Sequence, residues 1–145
     1  MTLVDSHCHI DFPELYGNLD DVINRATKAG VGYLLCVSVN LPGLEKIVEI
    51  ANRYAHVFAT AGVHPNHNQG IIDSPTYFEL RNAASNPAVI AVGETGLDYY
   101  RSQGDLVWQQ ERFRKHIGVA KDLGKPLIVH TRQARIDTIS VMREE

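Results

Sequence analysis

Five short apolar, β-branched runs recur along the chain, at 3–7, 33–39, 57–63, 88–92 and 126–129, and the gaps between them carry helical periodicity instead. Strand and helix therefore alternate at short spacing. A strand, a helix and a second strand of the same sheet connect as a right-handed crossover, so the strands are expected to run parallel with helices packed over them. Leu19, Val22, Ile23 and Ala26 form one helical stripe that stops at Gly30, and a second helix starts near Pro42-Gly43 with Leu44, Ile47, Val48 and Ala51. Ser74-Pro75 reads as an N-cap and first-turn proline for a third helix carrying Phe78, Leu80 and Ala84. A fourth runs from about Asp105 to Leu123, with Leu106, Phe113, Ile117 and Ala120 on its core face, and ends at Gly124. The expected class is α/β, with a parallel sheet that is either open and doubly wound or part of a barrel.

The chain has 145 residues, whereas a closed (β/α)8 barrel needs about 250. Arg135 to Glu145 places Ile136, Ile139 and Met142 at helical spacing and then stops without a glycine cap. Glu144 and Glu145 would put negative charge at a helix C-terminus, where the macrodipole disfavours it. Residues 1–145 are therefore read as a single partial domain, truncated after the fifth strand and the beginning of the helix that follows it. Five unclosed strands leave two sheet edges and an uncovered apolar face, so self-association is expected.

Apolar residues make up 44% of the chain and charged residues 21%, the balance of an ordered globular domain. The net charge of −3 gives no support to a large basic face for nucleic acid, and leaves open a small patch or a metal that contacts phosphate directly. Cys8 and Cys36 form no CxxC motif, nothing at the N-terminus has a basic region followed by a long apolar segment, and no apolar stretch approaches the roughly 20 residues that span a bilayer. A reduced, cytoplasmic protein without a membrane partner is expected.

In parallel α/β folds, sites gather at the C-terminal ends of the strands. The first run, Leu3-Val4-Asp5-Ser6-His7-Cys8-His9, ends in two histidines one residue apart, and strand alternation points both imidazoles to one face. Glu94 follows the fourth run and His130 the fifth. His7, His9, Glu94 and His130 thus place four metal-ligand types at the ends of three strands, and a mixed imidazole and carboxylate set suits zinc, magnesium or manganese. The two oxygens of Glu94 allow it to bridge two ions, and Gly93 and Gly96 would let the backbone turn tightly around it. His64 closes the third run, either near a substrate or as a loop histidine. Arg132 could contact a phosphate through its planar fork, or lie exposed at a helix start. Asp5 shares a face with His7 and either orients its ring or joins the strand's own hydrogen bonding. His56, His67 and His116 read as structural or solvated.

Four segments together, Leu3 to His9, Ala61-Gly62-Val63-His64-Pro65, Val92 to Tyr100 and Lys125 to Arg132, resemble the TatD family of metal-dependent deoxyribonucleases within the amidohydrolase-like TIM barrels. The resemblance implies the N-terminal five βα units of a TIM-type (β/α)8 barrel, incomplete in this chain, and a hydrolase acting on DNA or another phosphodiester through metal-activated water. It implies that His7 and His9 bind one divalent ion, that Glu94 bridges two, that His130 binds the second, and that His64 and Arg132 lie near the substrate. Asp98, Tyr99 and Tyr100 match the family motif without an implied role. In the family a sixth-strand histidine and an eighth-strand aspartate complete the site, so the catalytic aspartate lies outside this sequence. The alternatives are an inactive half-barrel that needs a complementary piece, or another metal-dependent esterase, deacylase or PHP-type phosphoesterase. The last would carry further histidines soon after the first strand, and none occurs between His9 and His56.

Overall fold

The computed structural model describes residues 2–67 and 74–145. Its elements run β1 (Leu3–Cys8), α1 (Pro13–Tyr16), α2 (Leu19–Lys28), β2 (Val31–Cys36), α3 (Leu44–Arg53), β3 (Val57–Ala61), α4 (Tyr77–Ala84), β4 (Val89–Asp98), α5 (Val107–Leu123), β5 (Leu127–Arg132) and α6 (Arg135–Glu144). All neighbouring strands are parallel and the sheet order is β1-β2-β3-β4-β5. That order decides between the two architectures left open by the sequence. A doubly wound sheet reverses its strand order at a switch point, whereas a progressive order keeps every crossover on one side, as in a barrel. The sheet is five consecutive βα units of a half-barrel.

The main core lies between this sheet and its helices. Leu19 and Ile23 of α2, Ile47 and Ile50 of α3, Leu80 and Ala84 of α4, and Val119 and Ala120 of α5 close over Leu34, Cys36, Val57, Ala59, Ala61 and Val89. α2 suits its position electrostatically, with Asp20 and Asp21 in the first turn and Arg25 and Lys28 in the last. On the β1 edge Leu3 and Val4 remain 53% and 63% exposed.

Some local expectations change. Thr76, not Ser74, caps α4: its hydroxyl accepts from the Glu79 N–H at 3.2 Å while the Glu79 carboxylate accepts from the Thr76 N–H at 2.8 Å, a reciprocal capping box. Ser74 instead accepts a hydrogen bond from the Arg112 side chain. Glu144 and Glu145, unfavourable against the helix dipole, are both paired with Arg114.

Gly93 and Gly96 make no tight turn around Glu94. Both lie inside β4, at φ +142° and +137°, and a Cβ at either would run into the β5 backbone, at Ile128 and His130 respectively. Gly96 pairs with His130 in the ladder. Gly96→Ala is therefore expected to cost about 2–3 kcal/mol from backbone strain and the forced separation of β4 from β5. Urea unfolding of the two proteins measures it, and a loss below 1 kcal/mol would show that β5 relaxes freely.

Candidate metal centre

The strand ends bring the sequence candidates together. One ligand atom each from His7, His9 and Glu94 lie within 4.8 Å of one another, and so do one each from His64, Glu94 and His130. Glu94 belongs to both groups. Its carboxylate is buried, with Oε2 3.4 Å from His7 Nε2, and Oε1 3.2 Å from His130 Nδ1 and 4.0 Å from His64 Nε2. Burial pushes its pKa up, but the hydrogen bond with His130 and the nearby His64 and His7 more than offset this, and the group stays below the usual glutamate range.

His9 lies just past the end of β1, its Nδ1 3.0 Å from the Val37 carbonyl oxygen. A carbonyl only accepts, so Nδ1 carries the proton and Nε2 keeps its lone pair for a ligand. Phe12 stacks on the same ring at 4.9 Å and 18°. Asp5 does not orient the His7 imidazole: its carboxylate accepts from the His7 backbone N–H at 3.1 Å.

Strand alternation puts Glu94, Gly96 and Asp98 on one face of β4, and the His130 ring lies between the two carboxylates. His130 Nε2 is 3.1 Å from Asp98 Oδ2. Asp98 is fully buried, and its other contacts come from the Asn66 side-chain amide at 2.7 Å and the backbone N–H groups of Tyr100 and Arg101. Burial raises the Asp98 pKa, yet these donors hold it below the ordinary carboxylate value. His130 is shifted the other way, raised chiefly by its hydrogen bond to Glu94. Asp98 therefore fixes His130 Nε2 as the donor and turns Nδ1 toward Glu94, the carboxylate–histidine arrangement that orients metal-bound imidazoles. The 3.2 Å space between His130 Nδ1 and Glu94 Oε1 is shared by two acceptor atoms unless a proton or a cation lies between them, so the donor set fits a divalent ion.

His64 behaves differently. The Asn66 backbone N–H donates to its Nδ1 at 3.1 Å. Burial, then His130, pushes its pKa down to about 4, so the ring is neutral and its one proton sits on Nε2, the atom that faces Glu94 and His130. It is thereby a donor into the site, not a lone-pair ligand. Arg132 falls in neither ligand group; its guanidinium lies 4.1 Å from the Tyr100 ring centroid and it is exposed. A cleft of about 380 Å³ opens over the site, lined among others by His9, Phe12, His64, Asn66, Glu94 and Arg101.

Sequence reasoning missed Asn66 and left Asp98 without a role. The signal for Asp98 was its even spacing from Glu94 along a strand, which became readable only once β4 was seen to continue past the apolar run.

The sequence profile of the family described as TatD related DNase matches residues 4–145. The chain is 41% identical, over its whole length and 55% of the relative's, to the uncharacterized metal-dependent hydrolase YcfH of Escherichia coli (strain K12). It is 33% identical over 85% of its length, and 47% of the relative's, to the 3'-5' ssDNA/RNA exonuclease TatD of Escherichia fergusonii. Among solved structures, YJJV, a TatD homolog from Escherichia coli K12, superposes with a TM-score of 0.85 at 26% identity, covering 98% of this chain and 55% of that one. The chain thus spans about half the length of the curated relatives it matches.

Proposed function

Because the chain belongs to the TatD related DNase family, we propose that it forms the N-terminal half of the site of a divalent-metal-dependent hydrolase that cleaves DNA phosphodiester bonds. The observation that carries this reading is the division of labour at Glu94, whose two oxygens face two separate histidine groups. His7, His9 and Glu94 would hold one ion, and Glu94 with His130 a second. Bound there, zinc, magnesium or manganese supplies Lewis acidity to a phosphoryl group and acidity to water. The cation positions differ in access: the His7 side chain is 42% exposed and His130 only 19%, which leaves the first open toward solvent. His64 Nε2–H points into the site and donates to a non-bridging phosphate oxygen. Arg132, on the rim, meets a more distant phosphate of the strand. The name of the Escherichia fergusonii relative supports a single-stranded end as substrate.

The test is release of nucleotides from a 3'-labelled single-stranded oligonucleotide by the purified chain with Mn²⁺, against an EDTA control and His7→Ala. Cleavage that depends on Mn²⁺ and falls by about 100-fold or more in His7→Ala is expected, in line with the loss of a metal ligand. Wild-type rates in the variant would remove His7 from the site. A chain that binds metal but leaves DNA intact would favour the half-barrel that needs a complementary piece, a reading the exposure of Leu3 and Val4 at the β1 edge supports.

A further inference from the structure

α5 buries three polar side chains, Gln109, Arg112 and His116, exposed by only 0%, 2% and 0%. Spaced three and four residues apart, they share one face of the helix. Burying an amide, a guanidinium and an imidazole is costly unless each is partnered, and an apolar face would have packed against the sheet without that cost. Their partners lie on the two loops that carry the buried half of the site. His116 Nε2 accepts from the Val63 N–H at 3.1 Å, with its Nδ1–H donating to the Arg112 carbonyl at 2.8 Å. Arg112 donates to the His67 carbonyl at 2.7 Å and approaches that of His64 at 3.5 Å, spanning the turn in which Asn66 N–H meets the His64 ring. Gln109 grips the other loop: its Oε1 accepts from the Asp98 N–H at 2.8 Å and its Nε2 donates to the Ser102 hydroxyl at 2.8 Å. Ser102 Oγ donates to Asn66 Oδ1 at 3.1 Å, and Asn66 Nδ2 donates to Asp98 at 2.7 Å. The two loops are thereby joined to one helix and to each other, and the chain of bonds reaches His130 and, through it, Glu94.

We infer that the Gln109–Arg112–His116 face of α5 positions His64 and the Asp98–His130 pair against one another, and so sets the second cation position and the donor beside it. None of these three side chains has a hydrogen bond to His7 or His9 among the described residues, so the helix reaches the first position only through the shared Glu94. The inference rests on the two-ion reading above, and separates from it in the measurement.

Co²⁺ titration of the 145-residue chain, followed by visible absorption, resolves the two positions, and ¹⁵N chemical shifts of the imidazoles in the metal-free chain report each ring's protonation. Arg112→Met keeps the stem and removes the donors; Gln109→Met does the same on the other loop and serves should the first variant fail to fold. Each is expected to weaken the second Co²⁺ by about tenfold or more while the first changes by less than about twofold, the scale of lost outer-sphere support. Arg112→Lys, which reaches one carbonyl, should recover part of the loss. Without metal, the His64 and His130 nitrogens should shift and those of His7 and His9 should not. Equal weakening of both ions, or no weakening of either, overturns the inference and leaves α5 a structural helix. If the wild type binds no second Co²⁺ the two-ion reading fails, and the imidazole shifts decide the inference alone: unchanged His64 and His130 signals in both variants overturn it.

Discussion

Glu94→Gln will leave the fold intact and remove both cations together. The substitution is nearly isosteric, and the burial penalty it removes offsets part of the lost attraction to His130, His64 and His7, so the metal-free variant should unfold within a few degrees of the wild type. Its effect on the site is larger than that of any histidine. Oε2 and Oε1 serve the His7 side and the His130 side respectively, so one amide cannot replace them both. A cation between imidazoles needs the carboxylate charge, and the amide nitrogen is a donor wherever it points. Each position is expected to weaken by about 100-fold or more, with cleavage falling at least as far. His7→Ala should instead remove one ion and spare the other. Co²⁺ titration of the two variants side by side distinguishes them, and Glu94→Gln with one position intact would show that Glu94 serves a single ion.

The part of this site that the sequence disclosed is the part whose elements end in chemistry. His7, His9 and His130 each follow an apolar run, where strand alternation and the position of sites in parallel α/β folds apply directly. The barrel order of the strands was not readable from periodicity, since the same alternation suits a doubly wound sheet; it came from the family likeness and then from the ladder. What escaped notice is partner-dependent. Gly96 looked like turn chemistry because glycine beside a charged residue in a loop usually is; here it clears space for the His130 backbone in a neighbouring strand 34 positions further on. The α5 stripe of Phe113, Ile117 and Ala120 was legible as core, but the same helix also buries Gln109, Arg112 and His116. Nothing in the residue types marks these three as inward, since the bonds that satisfy them come from segments up to 53 residues away. His64, a loop histidine by spacing, gains its tautomer from Asn66 two residues on, a contact that only the closed turn makes.

His116 also makes the metal-free chain acid-labile in a defined window. Burial, the largest cause, and the charges of Arg112 and Lys115 push its pKa down to about 4 from an ordinary 6.5, with only the hydrogen bond to the Arg112 carbonyl acting the other way. Protonation would also convert Nε2 from the acceptor of the Val63 N–H into a second donor and break that bond. The unfolded chain therefore takes up a proton near pH 6.5 that the folded chain refuses until about pH 4. The contribution is complete above the upper value and is lost as pH falls between the two, by about 3 kcal/mol in all. His64, held near 4 by burial and by His130, loses stability over the same window. His130 acts oppositely: its pKa is raised by Glu94, so its contribution is present at low pH and declines above its unfolded value. Urea unfolding in EDTA at pH 7, 6, 5 and 4.5, for the wild type and His116→Gln, isolates the one residue. The wild type should lose more stability than the variant on acidification, the gap approaching about 3 kcal/mol by the lowest pH. Parallel curves would mean that His116 takes up its proton at the same pH in the folded and unfolded chains, so that neither burial nor the hydrogen bond from Val63 holds its ring neutral.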